Sequence, residues 1–190
     1  MRSFSKTYKL PSDYIKEEYD EEKEKTNLQV YQTVIEFLNE EYPLNEKSEL
    51  SFDEFMTELL SLCDLIDYAE KYKHRYVMIN LASLMISLSF RYLNTNYFST
   101  TPAEYLIEKL YRVYEDKNKD YNNSAEKQLM MEGTKSFKIR IQDKVSRLHS
   151  FCYNEEMCVE DEKIEDTLMD LINYCIIFLI WALKDKDEVI

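Results

Sequence analysis

The sequence of 190 residues predicts an all-α helical bundle, and three observations carry that prediction. One glycine and three prolines leave almost none of the turn residues that sheets of short strands consume. Hydrophobic residues make up 45% of the chain, enough to bury a sizeable core in one ordinary domain. Those residues recur at intervals of three and four, and no stretch alternates with period two long enough to make a strand. A sandwich or barrel is therefore excluded. So are phosphate-cradling glycine loops, because the lone Gly133 cannot build G-x-G-x-x-G or a P-loop.

Residues 1–25, which run into EEYDEEKEKT, are too polar to pack alone and read as an acidic lead-in. An N-terminal helical region over 26–100 follows. Its first helix starts at Asn27, shows Val30, Val34, Phe37 and Leu38 on one face, and stops at Pro43. Ser51 and Glu54 have the spacing of a capping box for a second helix, whose apolar positions Phe55, Leu59, Leu62 and Ile66 step by three and four. A third helix over 75–93 is apolar nearly all round, which predicts a place at the bundle centre.

A second unit spans 101–190. Thr101-Pro102 has the pattern of an N-cap with proline at the first helical position, opening a helix that ends near 115 or 116. The polar segment 117–124 then breaks the period. A helix over 137–152 carries Phe137, Ile141, Val145, Leu148 and Cys152 on its buried stripe, and the last helix runs over 160–184.

Charge narrows the function. Thirty-seven acidic against 24 basic residues give a net charge of -13, which repels nucleic-acid phosphates at long range, so direct DNA or RNA binding is not expected. The opening MRSFSKTYKLPSDY has no apolar core for a signal peptide, and the stretches 77–90 and 171–183 fall short of the ~20 apolar residues of a membrane span. Cys63, Cys152, Cys158 and Cys175 form no C-x-x-C pair beside histidines, so neither zinc nor a disulfide framework is indicated. A cytoplasmic protein with reduced thiols is the expectation. His74 and His149 lack a neighbouring nucleophile pattern and read as helix-surface residues.

The informative residues lie between 117 and 173. Glu162, Asp166, Asp170 and Asn173 are spaced four, four and three apart, an arc of roughly 80° on one helix. Asp170 and Asn173 enter the apolar stretch, so both should be partly buried. Arg140, Asp143 and Arg147, with Lys144 at the edge, form a complementary row on the preceding helix. If the two helices pack antiparallel, Asp143 joins the carboxylates and the basic residues surround them. Oxygen ligands with open positions suit Mg²⁺, and a cationic rim suits phosphate. The same spacing also fits an interhelical salt-bridge network.

Three motifs occur in order: KNKDY, RIQDKVSRL and EDEKIEDTLMDLINY. Over about 104–184 they resemble the phage-associated nucleotide-modification domain family, whose pattern is approximately KNxDYG, RIxDKxxRL and ESIxDTLxDLxNY. That family in turn resembles the MazG-like all-α NTP pyrophosphohydrolases. The resemblance implies Glu162, Asp166 and Asp170 as metal ligands, and Asp143 or Glu165 as a further ligand or the base aligning water. It implies that Lys117, Asn118, Asp120, Lys144, Arg147 and Asn173 face nucleotide or phosphate, and Tyr121 is a candidate to stack on the base. Asn122 and Lys163 stand where the family has Gly and Ser.

The activity so implied is Mg²⁺-dependent cleavage of a nucleoside triphosphate, ribo or deoxy, between its α and β phosphates, in a bacterial or phage-infected cell. Assembly into a homo-oligomer is implied as well. Two alternatives stay open: a non-catalytic module that binds or sequesters a nucleotide, and an acidic interaction protein that mimics nucleic acid or inhibits a partner through its EEYDEEKE run.

Overall fold

The computed structural model describes residues 27–41, 44, 49–121, 123–153 and 164–184, and among them the chain is all-α. Seven helices follow one another: α1 (Asn27–Glu41), α2 (Phe52–Lys71), α3 (Arg75–Asn96), α4 (Ala103–Asp120), α5 (Ser124–Glu132), α6 (Thr134–Tyr153) and α7 (Ile164–Lys184). The acidic lead-in, the side chain of Val30, and residues 160–163 of the expected last helix lie outside the described residues.

Helices α2, α3, α7 and α6 form a four-helix ring in which each packs on the next. Side-chain contacts show that neighbours run antiparallel. Lys138, early in α6, pairs with Asp67 at 2.6 Å and Glu70 at 3.6 Å, both late in α2. Arg75 opens α3 with its guanidinium 4.7 Å above the Trp181 ring and donates to the Ala182 carbonyl at 2.8 Å, near the end of α7. Along α6 and α7, Phe137 meets Phe178, Arg140 meets Tyr174 and Lys144 meets Asp170, so one numbering rises as the other falls. Helices α1, α4 and α5 lie against α7.

The apolar pattern accounts for this arrangement. Helix α3 buries residues on nearly every side, from Met78 to Leu93. Its most apolar 18-residue window has the length and hydropathy of a membrane span, yet 67% of it is buried inside the bundle, so it serves as a core helix. Small Ser83, Ser87 and Ser89 on α3 are buried too, which lets neighbouring helices approach closely. Helix α7 buries Thr167, Leu168, Met169, Leu171, Ile172 and Asn173, and Cys175 through Ile180. Stacked rings tie neighbouring helices within the core, with Phe137 on Phe178 at 4.0 Å between α6 and α7 and Phe55 on Tyr92 at 4.2 Å between α2 and α3. Helices from both sides of residue 100 contribute to one hydrophobic core.

Local signals set most of the helix ends. The capping box of α2 is present: the Glu54 backbone N–H donates to Ser51 Oγ at 3.3 Å, and the Ser51 backbone N–H donates to the Glu54 carboxylate at 2.9 Å. At α4 the expected register shifts by one. Pro102 is the N-cap with extended backbone, and Thr101 donates its hydroxyl to the Phe98 carbonyl instead of capping the helix. The segment expected to break at Lys117 stays helical to Asp120, because Lys117 and Lys119 in the last turn complement the carbonyl end of the helix dipole. A short helix, α5, then fills a stretch the apolar period does not mark, since only Leu129 of its nine residues is buried.

Three turns among the described residues need left-handed backbone, at Lys73, Asn123 and Gly133. Gly133, between α5 and α6, has φ 60 and ψ -142, a region in which only glycine is unstrained, and an added Cβ would meet the Trp181 ring at 4.0 Å. Between α2 and α3, Lys73 has φ 56, with Lys73 N–H donating to the Glu70 carbonyl and His74 N–H donating to the Ala69 carbonyl. That is a Schellman turn with lysine where glycine is unstrained. Replacing Lys73→Gly is expected to stabilise the chain by roughly 0.5–1 kcal/mol. Thermal unfolding followed by circular dichroism would record a rise of about 1–4 °C; a fall would show that Lys73 makes a compensating contact.

Candidate functional site

The end of α4, the start of α5 and the facing sides of α6 and α7 enclose a cavity of about 450 Å³. Helical spacing builds its walls. Arg140, Lys144 and Arg147 project from one stripe of α6, and Asp170, Asn173, Tyr174 and Ile177 from one stripe of α7. Because α4 remains helical past Tyr114, Lys117, Asn118 and Tyr121 reach the same opening, and Ser124 and Ala125 close the α5 side.

Seven residues singled out in the sequence therefore meet at one place: Lys117, Asn118, Tyr121, Lys144, Arg147, Asp170 and Asn173. Arg140, read as part of the basic row, joins them. Tyr114, Tyr174 and Ile177 complete the lining and were not foreseen. With 16 tyrosines in the chain, only the position of Tyr174 four residues beyond Asp170 on the same stripe offered a signal.

Charge pairing inside the cavity is dense. One carboxylate oxygen of Asp170 accepts from the Lys117 ammonium, and the other lies 3.1 Å from Lys144 Nζ. Lys144 Nζ also lies 3.9 Å from Asp143, whose same oxygen is 3.4 Å from Arg147 Nε. Carboxylates from two helices thus converge, with a lysine ammonium between them. Arg140 spreads its guanidinium 5.4 Å from the Tyr174 ring centroid and donates to the Gln128 side chain at 2.5 Å. The Asp170 side chain is only 14% exposed and that of Lys144 10%, whereas Lys117 is 47% exposed. The Asp170–Lys144 pair is accordingly the least screened of the set.

The remaining acids are arranged differently. Glu165 turns away to pair with Lys109, whose ammonium sits 4.7 Å from the Phe98 ring centroid. Asp166 and Asp120 are exposed, Asp143 is half-exposed, and none of these acids lines the cavity. Glu162 lies outside the described residues. Among the described residues, no three Asp, Glu, His or Cys side chains converge to hold a metal ion. Asp170, the best placed acid, is already bound to two ammonium groups. The described donor set does not fit Mg²⁺.

Asn173 has a defined place of its own. Its Oδ1 accepts from the buried Tyr31 hydroxyl at 2.8 Å, and its Nδ2 donates to the Leu110 carbonyl at 3.1 Å, so one amide ties α7 to α1 and α4. Tyr31 packs against Tyr111 and Tyr114, each with ring centroids 5.3 Å away. The Tyr114 hydroxyl donates to Glu126 on α5 at 3.1 Å. Burial, with Glu126 second, pushes the Tyr114 phenol far above its ordinary value, so it stays a neutral donor. Burial likewise raises the Cys63 thiol to about 11, and Cys175 is buried and raised too, which makes both poor nucleophiles.

Fold and site together define an all-α bundle with a cation-lined cavity. Residues 117–181 match the model of a family described as nucleotide modification associated domain 1. That stretch contains every residue named on the cavity wall except Tyr114. No curated protein and no solved structure matches the chain.

Proposed function

We propose that the chain binds a nucleotide in this cavity and holds it by its phosphates. The observation that carries the reading is the convergence of Lys117, Arg140, Lys144 and Arg147 on one cavity in a chain whose net charge is -13. A concave site walled by cations concentrates field where the rest of the surface repels anions, and guanidinium groups match phosphate geometry. Tyr121, 66% exposed at the rim, offers a ring to a base, and the Asn118 amide offers a donor and an acceptor. The family description matched by residues 117–181 points to the same ligand class.

Calorimetric titration with the four dNTPs and four NTPs tests the reading. Saturable binding is expected with at least one of them, and its affinity should fall as salt rises, because the contacts are mainly charge to charge. Silence across the whole panel overturns it. A second reading is Mg²⁺-dependent pyrophosphohydrolysis, as in the MazG-like enzymes. The carboxylates of Asp143 and Asp170 approach from two helices, and in that reading Mg²⁺ would have to displace the Lys144 ammonium between them. Pyrophosphate release that stops with chelator would select it over binding alone.

A further inference from the structure

Asp170 is the one carboxylate among the described residues of the cavity wall, and both of its oxygens are taken by lysine. Its position is fixed by the buried Leu168, Met169 and Leu171 beside it on α7. Lys144 is fixed too, nearly buried and within 5.9 Å of the Tyr174 ring centroid. Lys117 is the more exposed partner: it reaches in from the last turn of α4 with about half its side chain in solvent. An anion entering the cavity therefore competes with Asp170 for Lys117 while Lys144 stays in place.

Resting on the nucleotide-binding reading above, we propose that Asp170 is a resident counter-anion, displaced from Lys117 by a phosphate that arrives without a metal ion. The charge arrangement supports the second half of that statement. Four cations face one cavity carboxylate, so the wall favours an anion with its full charge over one neutralised by Mg²⁺. The position between Asp143 and Asp170 that a divalent ion would need is held by the Lys144 ammonium. Expelling Lys144 would leave a nearly buried charge without its partners, which is costly.

Titration of the full chain with the four dNTPs, in EDTA and in excess Mg²⁺, separates the possibilities for the unmodified chain and for Asp170→Asn. Binding in EDTA is expected, weakened about tenfold by Mg²⁺ and tightened about tenfold by Asp170→Asn, each change being the size of one partly screened charge interaction. Binding that requires Mg²⁺, or equal or weaker affinity in a folded Asp170→Asn chain, overturns the counter-anion proposal and leaves nucleotide binding standing. Binding by neither protein under either condition overturns both. Should Asp170→Asn not fold, the magnesium comparison on the unmodified chain decides alone: weakening supports the proposal, and equal or tighter affinity overturns it.

Discussion

Asn173→Ala is expected to lower the stability of the chain by roughly 2–4 kcal/mol. The change deletes both hydrogen bonds of the amide, strands the buried Tyr31 hydroxyl and takes from the Leu110 carbonyl its one bond beyond helix α4. Each buried group left without a partner costs roughly 1–3 kcal/mol. For a chain of this length the midpoint of thermal unfolding would fall by about 5–15 °C. Differential scanning calorimetry measures it directly. An unchanged midpoint would mean that the three helices are held by packing alone and that Asn173 is free to serve a ligand. Tyr31→Phe provides the partner measurement, since it removes one of the two bonds and should cost less.

Lys144→Met should weaken nucleotide binding by roughly ten- to hundredfold, the equivalent of one hydrogen bond between charged groups at roughly 1.5–3 kcal/mol. Methionine keeps most of the apolar stem against Tyr174, so the fold should persist. Asp170 would retain Lys117 and Asp143 would retain Arg147. Calorimetry reads the affinity, and circular dichroism confirms that the helices remain. Undiminished affinity in a folded variant would remove Lys144 from the site and move the phosphates elsewhere on the wall.

The fold class and much of the cavity were legible because helical spacing is a short-range property. Arg140, Lys144 and Arg147 lie within two turns, as do Asp170 and Asn173, and antiparallel packing of two amphipathic helices is enough to bring them to one cavity. What spacing cannot express is pairing. Nothing local distinguishes an Asp170 bound by two lysines from an Asp170 open to a cation, because Lys117 comes from 53 residues away. The Tyr31–Asn173 bond spans 142 positions, so the spacing that places Asn173 on the cavity stripe gives no sign that its amide also ties helices together. The apolar period also ends at Tyr114, so the continuation of α4 to Asp120 and the whole of α5 had no hydrophobic signal to announce them.

Helix α5 has consequences for how the cavity is reached. Asn123 before it and Gly133 after it both hold positive φ, and its hold on the core is the buried Leu129 with the partly buried Ala125 beside it. Beyond that, it is fastened by Glu126 to Tyr114 and by Gln128 to Arg140, the second of these at the surface. Detaching so short a piece exposes little apolar surface, far less than separating α6 from α7. Releasing α5 thus costs less than parting α6 from α7, and one of its two polar ties is an arginine that an incoming anion would itself attract.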